Sequence, residues 1–261
     1  MNRSKPAFGG CCLTAALWLW AGGAYAGAWT EPSGQTQIIS SFRASRAWNG
    51  FDASGGSVSI PTFRKEELDI YSATGLTDGT TLIVHPDFTG YHPDRPSAGA
   101  TGFGNTEVGI EQRLWHDDAS VFSLQATALL PGRSIITSGG TDGEVRALYG
   151  RAFALFGVGA FADAELAWRL RSRGYAGELR PEFTLGLQPA ADWQVLLQSF
   201  NIVTTGRGRT LLFQGEQAKL QLSALYRLSE ALSLQAGAFA TVSGSNTPAE
   251  RGLLTALWLR F

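Results

Sequence analysis

The sequence predicts an all-β chain: a single antiparallel up-and-down transmembrane β-barrel of about 12 strands. Three observations predict it. Segments of roughly ten residues alternate apolar and polar side chains, and a strand sends successive side chains to opposite faces. Short turn signals near residues 77, 117, 157, 190 and 230 recur 33 to 40 residues apart, between loops that are mostly longer. That is the step of one strand pair in an up-and-down barrel. Finally, Leu253–Phe261 sets Leu253, Thr255, Leu257, Leu259 and Phe261 against Leu254, Ala256, Trp258 and Arg260, and the sequence ends on that aromatic.

Residues 1–26 read as an export signal and stand apart from the fold, which leaves one domain over 27–261. Arg3 and Lys5 form a basic head, Cys12–Ala21 an apolar run, and Ala24-Tyr25-Ala26 a small-x-small cleavage site before Gly27. The run is too short for a spanning helix, which needs ~20 residues. A lipoprotein is disfavoured because Phe8-Gly9-Gly10 precedes Cys11 with no aliphatic residue. Both cysteines fall in this segment, so disulfides and cysteine metal sites are excluded from the remainder. Removing Arg3 and Lys5 leaves 19 of the 21 Lys and Arg against 22 Asp and Glu, a formal charge of −3. Nothing there points to nucleic acid.

The first strand is expected over Gln35–Arg46, followed by a Gly/Asn/Ser-rich loop, Trp48–Pro61. Strand two, Phe63–Gly75, sets Leu68, Ile70, Ser72 and Thr74 against Lys65, Glu67, Asp69, Tyr71 and Ala73. Leu76-Thr77-Asp78-Gly79 turns the chain into strand three, Thr80–Phe88. A Pro/Gly-rich loop, Thr89–Gly102, leads to strand four, Gly104–Trp115, with Val108, Ile110 and Leu114 against Glu107, Glu111 and Arg113. His116-Asp117-Asp118 turns into strand five, Ala119–Leu130, and a Gly/Ser/Thr loop runs to Gly143. Strand six, Glu144–Leu155, leaves its facing open, because Arg151 shares a face with Val145, Tyr149 and Phe153.

Strand seven, Phe161–Arg171, alternates Ala162, Ala164, Leu166, Trp168 and Leu170 with Asp163, Glu165, Ala167, Arg169 and Arg171. Strand eight, Glu178–Gln188, alternates Leu179, Pro181, Phe183, Leu185 and Leu187 with Arg180, Glu182, Thr184, Gly186 and Gln188. Pro181 cannot donate to a ladder and is expected near a rim or bulge. Strand nine is Trp193–Val203, strand ten Gln217–Leu228 and strand eleven Leu232–Val242, with the C-terminal strand last. Strand ten sets Ala218, Leu220, Leu222, Ala224 and Tyr226 against Gln217, Lys219, Gln221, Ser223 and Arg227.

A soluble periplasmic β-protein alternates too, with its apolar face inside. Three features place lipid outside instead. Charge of both signs concentrates on the other face, making Lys65, Glu67, Asp69, Glu107, Glu111, Arg113, Asp163, Glu165, Arg169, Arg180, Glu182, Lys219 and Arg227 the lumen-facing candidates. Trp115 and Trp193 fall beside the short turns, where an interfacial aromatic girdle belongs. Phe261 ends the chain on the apolar face where a soluble fold would more often fray. With Leu257 and Leu259 it resembles the terminal strand of bacterial outer-membrane barrels and is expected to serve as the assembly signal. The expected location is the cell outer membrane, and the expected partners are its lipid, the barrel-assembly machinery and a small-molecule or polysaccharide ligand.

Two motifs carry a family resemblance. Gly102-Phe103-Gly104-Asn105-Thr106-Glu107-Val108-Gly109-Ile110-Glu111-Gln112-Arg113-Leu114 resembles the Gly-x-Gly-Asp-Thr-Glu-x-Gly-x-x-x-Arg-Leu segment of transporter-like barrels of the phenol-degradation meta-pathway type, with Asn105 in place of Asp. Tyr71–Leu82 is similar to the strand–turn–strand piece of the same superfamily. The start Gly27-Ala28-Trp29-Thr30-Glu31-Pro32-Ser33-Gly34 is also similar to XagA-like proteins, tied to exopolysaccharide or adhesion gene clusters. The superfamily resemblance implies outer-membrane passage of small, often hydrophobic molecules.

No enzyme, metal site or cofactor is expected. His85, His92 and His116 are the only histidines, and none stands at a suggestive spacing from a serine. No Gly-x-Ser-x-Gly elbow occurs. Gly102–Gly109 precedes a strand, not the helix that a phosphate loop requires. The inward charges serve either solute passage or a purely structural pairing that plugs the lumen. Arg169, Arg180, Arg227 and Trp258 argue for a constricted interior. The reading is therefore a barrel passing or binding small molecules through a constricted charged lumen, gated by loops 47–62 and 89–102. The alternatives are a non-transporting accessory of exopolysaccharide or adhesin export, with Trp48, Phe51 and Tyr91 for docking, and a soluble ligand-binding β-protein.

Overall fold

The computed structural model describes residues 27–94, 99–133, 137–209 and 215–261. The export signal expected over 1–26 lies outside them. Twelve long strands form: β1 Thr36–Phe51, β2 Ser57–Thr77, β3 Thr80–Pro93, β4 Ala100–His116, β5 Ser120–Leu130, β6 Asp142–Leu155, β7 Val158–Leu170, β8 Gly177–Ala190, β9 Trp193–Thr205, β10 Glu216–Arg227, β11 Leu232–Ser245 and β12 Arg251–Arg260. Each pairs antiparallel with the next. β12 returns to β1 from Gln37↔Arg260 to Arg46↔Arg251, which closes the sheet. Thr247 and Pro248 add a short pairing with Phe51 and Gly50 of β1.

The alternation turns the apolar faces outward. Val145 is 57% exposed, Leu222 58% and Leu253 67%, whereas Lys65, Asp69, Glu111, Asp163 and Arg169 are buried inside. A soluble barrel has the opposite arrangement, so this wall is built for hydrocarbon. Trp115, Trp193 and Phe261 project outward at the turn end. Phe261 is also tied in by its backbone, donating to Thr36 O at 3.0 Å and accepting from Thr36 N at 2.7 Å. Arg151 resolves the facing of β6. It is exposed on the outer face beside the Phe156-Gly157 turn, where a long cation reaches interfacial water.

The strands run further than alternation predicts. β1 continues to Phe51 and β2 begins at Ser57, so most of the expected loop 48–61 is barrel wall. Its turn is held by Asp52 Oδ1, which accepts from Ser54 N at 2.8 Å, Ser54 Oγ at 2.7 Å and Gly56 N at 2.9 Å. These donors hold the Asp52 carboxyl below the usual carboxylate range. β3 reaches Pro93 and β4 starts at Ala100, which converts much of loop 89–102 as well; residues 95–98 of it lie outside the described set. The expected loops 47–62 and 89–102 are thus shorter than the sequence suggested. There the apolar–polar alternation lapses while backbone pairing continues.

Pro181 lies mid-strand rather than at a rim. Its missing N–H falls where the β8–β9 ladder passes from Leu179↔Val203 to Glu182↔Phe200, and Asn201 Nδ2 donates to Pro181 O at 2.9 Å in the gap. A second correction concerns the interior. The inner face is not polar along its whole length. Ile39, Ile83, Val121, Leu148, Phe161, Leu196, Leu225 and Trp258 are all buried at the turn-side end. The Trp258 indole N–H is satisfied by Gln235 Oε1 at 2.9 Å.

An arginine in place of Leu222 should lower unfolding stability from lipid vesicles by about 2–4 kcal/mol. An unchanged urea midpoint would show that no hydrocarbon touches this face. Deletion of Phe261 should reduce the folded, outer-membrane fraction while leaving the exported amount constant, as read by heat-modifiability on gels of fractionated cells.

Candidate functional site

Alternation places the charges of the loop-side half on one inner surface, and closure brings distant strands together there. The result is a nearly continuous belt of opposite charges. Lys219 Nζ lies 3.5 Å from Glu250, which lies 2.8 Å from Lys65. Lys65 meets Glu67 at 3.5 Å, and Arg43 reaches both Glu67 (3.8 Å) and Asp69 (3.0 Å). His85 stands between Asp69 at 3.5 Å and Glu107 at 3.8 Å. Arg169 bridges Glu107 at 2.9 Å and Glu144 at 2.7 Å. Arg146 then joins Glu144 at 3.0 Å, Glu165, and Glu182 at 2.9 Å, and Arg180 ends the run 3.7 Å from Glu182. Across β9 and β10 amides take over, with Gln221 Nε2 donating to Gln198 Oε1 at 2.7 Å.

The belt surrounds a cavity of about 240 Å³. Five cationic side chains line it, Arg43, Lys65, Arg169, Arg180 and Lys219, against the carboxylates of Glu67, Asp87 and Glu107. Two guanidinium atoms there, Arg43 Nε and Arg180 Nε, are buried and make no hydrogen bond among the described residues. Asn105, the residue that departs from the resembled motif, lines the same cavity.

Toward the turns the interior changes sign. Glu31, Glu111 and Asp163 are buried there. The segment before β1 runs through this layer. Ala28 N donates to Asp163 Oδ2 at 2.9 Å, Ser123 Oγ donates to Ala28 O at 2.7 Å, and Glu31 N donates to Thr81 Oγ1 at 2.9 Å. Ala28 packs with Val121 and Leu148, and the Trp29 ring meets Phe161 edge-on at 5.8 Å. Two glycines make room for the segment. A Cβ at Gly150 would lie 2.5 Å from the Trp29 ring, and one at Gly75 would collide with the carbonyls of Glu31 and Pro32. Below the segment lies a vestibule of about 350 Å³ that shares no lining residue with the loop-side cavity.

Of the residues singled out by sequence, Lys65, Glu67, Asp69, Glu107, Glu165, Arg169, Arg180, Glu182 and Lys219 come together in the belt. Glu111 and Asp163 fall in the acidic layer. Arg113 lines the vestibule, and Arg227 sits at the turn-side rim 3.3 Å from Asp192. Sequence reasoning passed over Arg43, Asp87, Glu144, Arg146 and Glu250, and gave His85 no place in the lumen. Arg43 shares the inward parity of Gln37 and Ile39, and Glu144 and Arg146 share that of Leu148, so alternation could have found them. Glu250 follows Pro248 outside any alternating run, and only the fold carries it to Lys65. Among the described residues no group of three His, Cys, Asp or Glu could hold a metal ion.

No protein-family model matches the chain, and no curated protein matches it. Its likeness is to solved outer-membrane barrels. The COG4313 outer membrane channel from Pseudomonas putida F1 aligns over 90% of this chain and 98% of its own, with 13% identity and a TM-score of 0.65. The translocator domain of the autotransporter NalP from Neisseria meningitidis aligns over 88% and 90%, with 14% identity and a TM-score of 0.52. LpxR from Salmonella typhimurium aligns over 84% and 99%, with 10% identity and a TM-score of 0.50. The fold is therefore that of an outer-membrane β-barrel. The named proteins differ among themselves, so function must be argued from the site.

Replacing Arg169 with Met leaves Glu107 and Glu144 without their shared cation. Breaking a buried pair on one side costs about 3–5 kcal/mol, and urea unfolding should show a loss on that order. A loss below about 1 kcal/mol would mean the belt is as wet as a surface pair.

Proposed function

We propose that this chain is an outer-membrane channel for small solutes bearing a negative group, and that the loop-side cavity holds the solute in transit. One observation carries the reading: five cations face three carboxylates around that space, and two of the guanidinium groups keep a buried donor without a hydrogen-bond acceptor. A carboxylate or phosphate oxygen satisfies such donors. The volume of about 240 Å³ is below the ~300–1,000 Å³ of drug-sized sites, so the solute is small. The polar lining favours charged solutes over the hydrophobic ones implied by the resemblance of 102–114 to meta-pathway transporter-like barrels. That resemblance, with the charged lumen, supports passage.

The mechanism is diffusion with a binding step. Interior charges in alternating pairs offer a solute successive partners, so that it leaves one as it meets the next. The turn-side layer, filled by the N-terminal segment, is the narrow point that the solute must pass. An accessory role in polysaccharide export would rest on aromatic docking residues. Trp48 is exposed, with the Arg251 guanidinium 5.5 Å from its ring, but Tyr91 is packed against Phe63 at 5.1 Å. The observations thus favour the channel.

Planar-bilayer recordings of the purified barrel under a salt gradient test this. The wild type should conduct with anion preference, and replacing Arg43 and Arg180 together with Gln should move the reversal potential toward cations. A silent barrel, or an unchanged reversal potential in that variant, would overturn the assignment.

A further inference from the structure

Two side chains of the acidic layer are buried without a cation among the described residues. Asp163 is 1% exposed and Glu111 2%. Neither forms an ion pair with another described side chain, and Glu111 Oε1 makes no hydrogen bond among the described residues. Glu165 shares this neighbourhood, but its cation, Arg146, is already divided among three carboxylates. Holding buried carboxylates close together without a cation is costly. The group seated on Asp163 is the main chain of Gly27 and Ala28. A Cβ on Gly27 would lie 2.5 Å from the Asp163 carboxyl, and the next residue donates its N–H to the same group.

We propose that export processing creates the missing cation. Hydrolysis of the Ala26–Gly27 amide breaks the C–N bond. The oxygen of water goes to the Ala26 carboxylate and both its protons end on the Gly27 nitrogen. The resulting α-ammonium binds Asp163 and locks the N-terminal segment across the turn-side lumen. A peptide-linked Gly27 has one neutral N–H; a processed one carries a full charge and three donors. The ligand is tethered, so its effective concentration at Asp163 is high and the lock needs little intrinsic affinity. Trp29 on Phe161 and Ala28 against Val121 and Leu148 supply the apolar part of the fit. The processed start of the chain is thus a bound group of the lumen rather than a free tail, whichever solute the channel passes.

The test uses full-length precursor expressed with export and purified as the folded barrel. Intact mass should give a chain starting at Gly27. A reagent selective for α-amines at neutral pH should label Gly27 at least about tenfold more slowly in the folded barrel than in urea. Asp163→Asn should bring the folded rate close to the denatured one. Should that variant fail to fold, a chain carrying one extra Ser after Ala26, so that its amine is displaced from Asp163, should fold and label rapidly. A different start residue, equal labelling of folded and denatured wild type, or protection that survives both changes would overturn the proposal. Labelling does not depend on conductance, so a silent barrel would sink the channel reading and leave this one standing.

Discussion

The structure depends on one ladder above the rest, the pairing of β1 with β12. Ten consecutive residue pairs, from Gln37↔Arg260 to Arg46↔Arg251, convert an open sheet into a closed one. In hydrocarbon every unpaired amide costs several kcal/mol, so an open edge has no solution there. The same closure makes the interior. Glu250, just before β12, reaches Lys219 on β10 within the open sheet, and only because the first and last strands meet can it also reach Lys65 on β2.

The interior solves an electrostatic problem in two ways. On the loop side, charges of opposite sign alternate around the wall, so most of the ions there have two partners within 4 Å. Paired and hydrogen-bonded charges tolerate low dielectric, whereas single ones do not. On the turn side the wall mixes apolar side chains with acids, hydroxyls, the amides of Gln37, Gln194 and Gln235 and the Arg113 guanidinium, and the chain's own N-terminal segment fills it. An interior built this way leaves a narrow lumen.

Much of this was legible in the residues. Alternation in β7, β8 and β10 is nearly unbroken, because one face meets lipid and the other meets charge, and a period of two then has to show. The turns at Thr77-Asp78-Gly79 and Asp117-Asp118 announce themselves by residue type, and Asp117 accepts from Ala119 N at 2.8 Å and Ser120 N at 2.7 Å. Strand ends were less legible. Residues 49–51 pair with 57–59 as ladder beyond the irregularity at Trp48, and nothing in their order distinguishes ladder from loop. The turn-side core was masked for a different reason. Val121 and Leu148 point inward, where alternation combined with lipid outside predicts polar groups, and only the neighbouring Trp29 and Ala28 explain their apolarity.

By itself the sequence determined the class, the strand number, the outward apolar face and the sign-mixed inner one. These follow from a two-residue period and from the type of side chain at each position, which are local properties. The tertiary structure decided who meets whom. It set Arg146 among Glu144, Glu165 and Glu182, put Arg169 between strands β4 and β6, and placed Gly27 on Asp163. It also joined Lys65 to Glu250, 185 positions further along the chain. Register and closure alone bring such residues within reach, and neither is written in the order of any single strand.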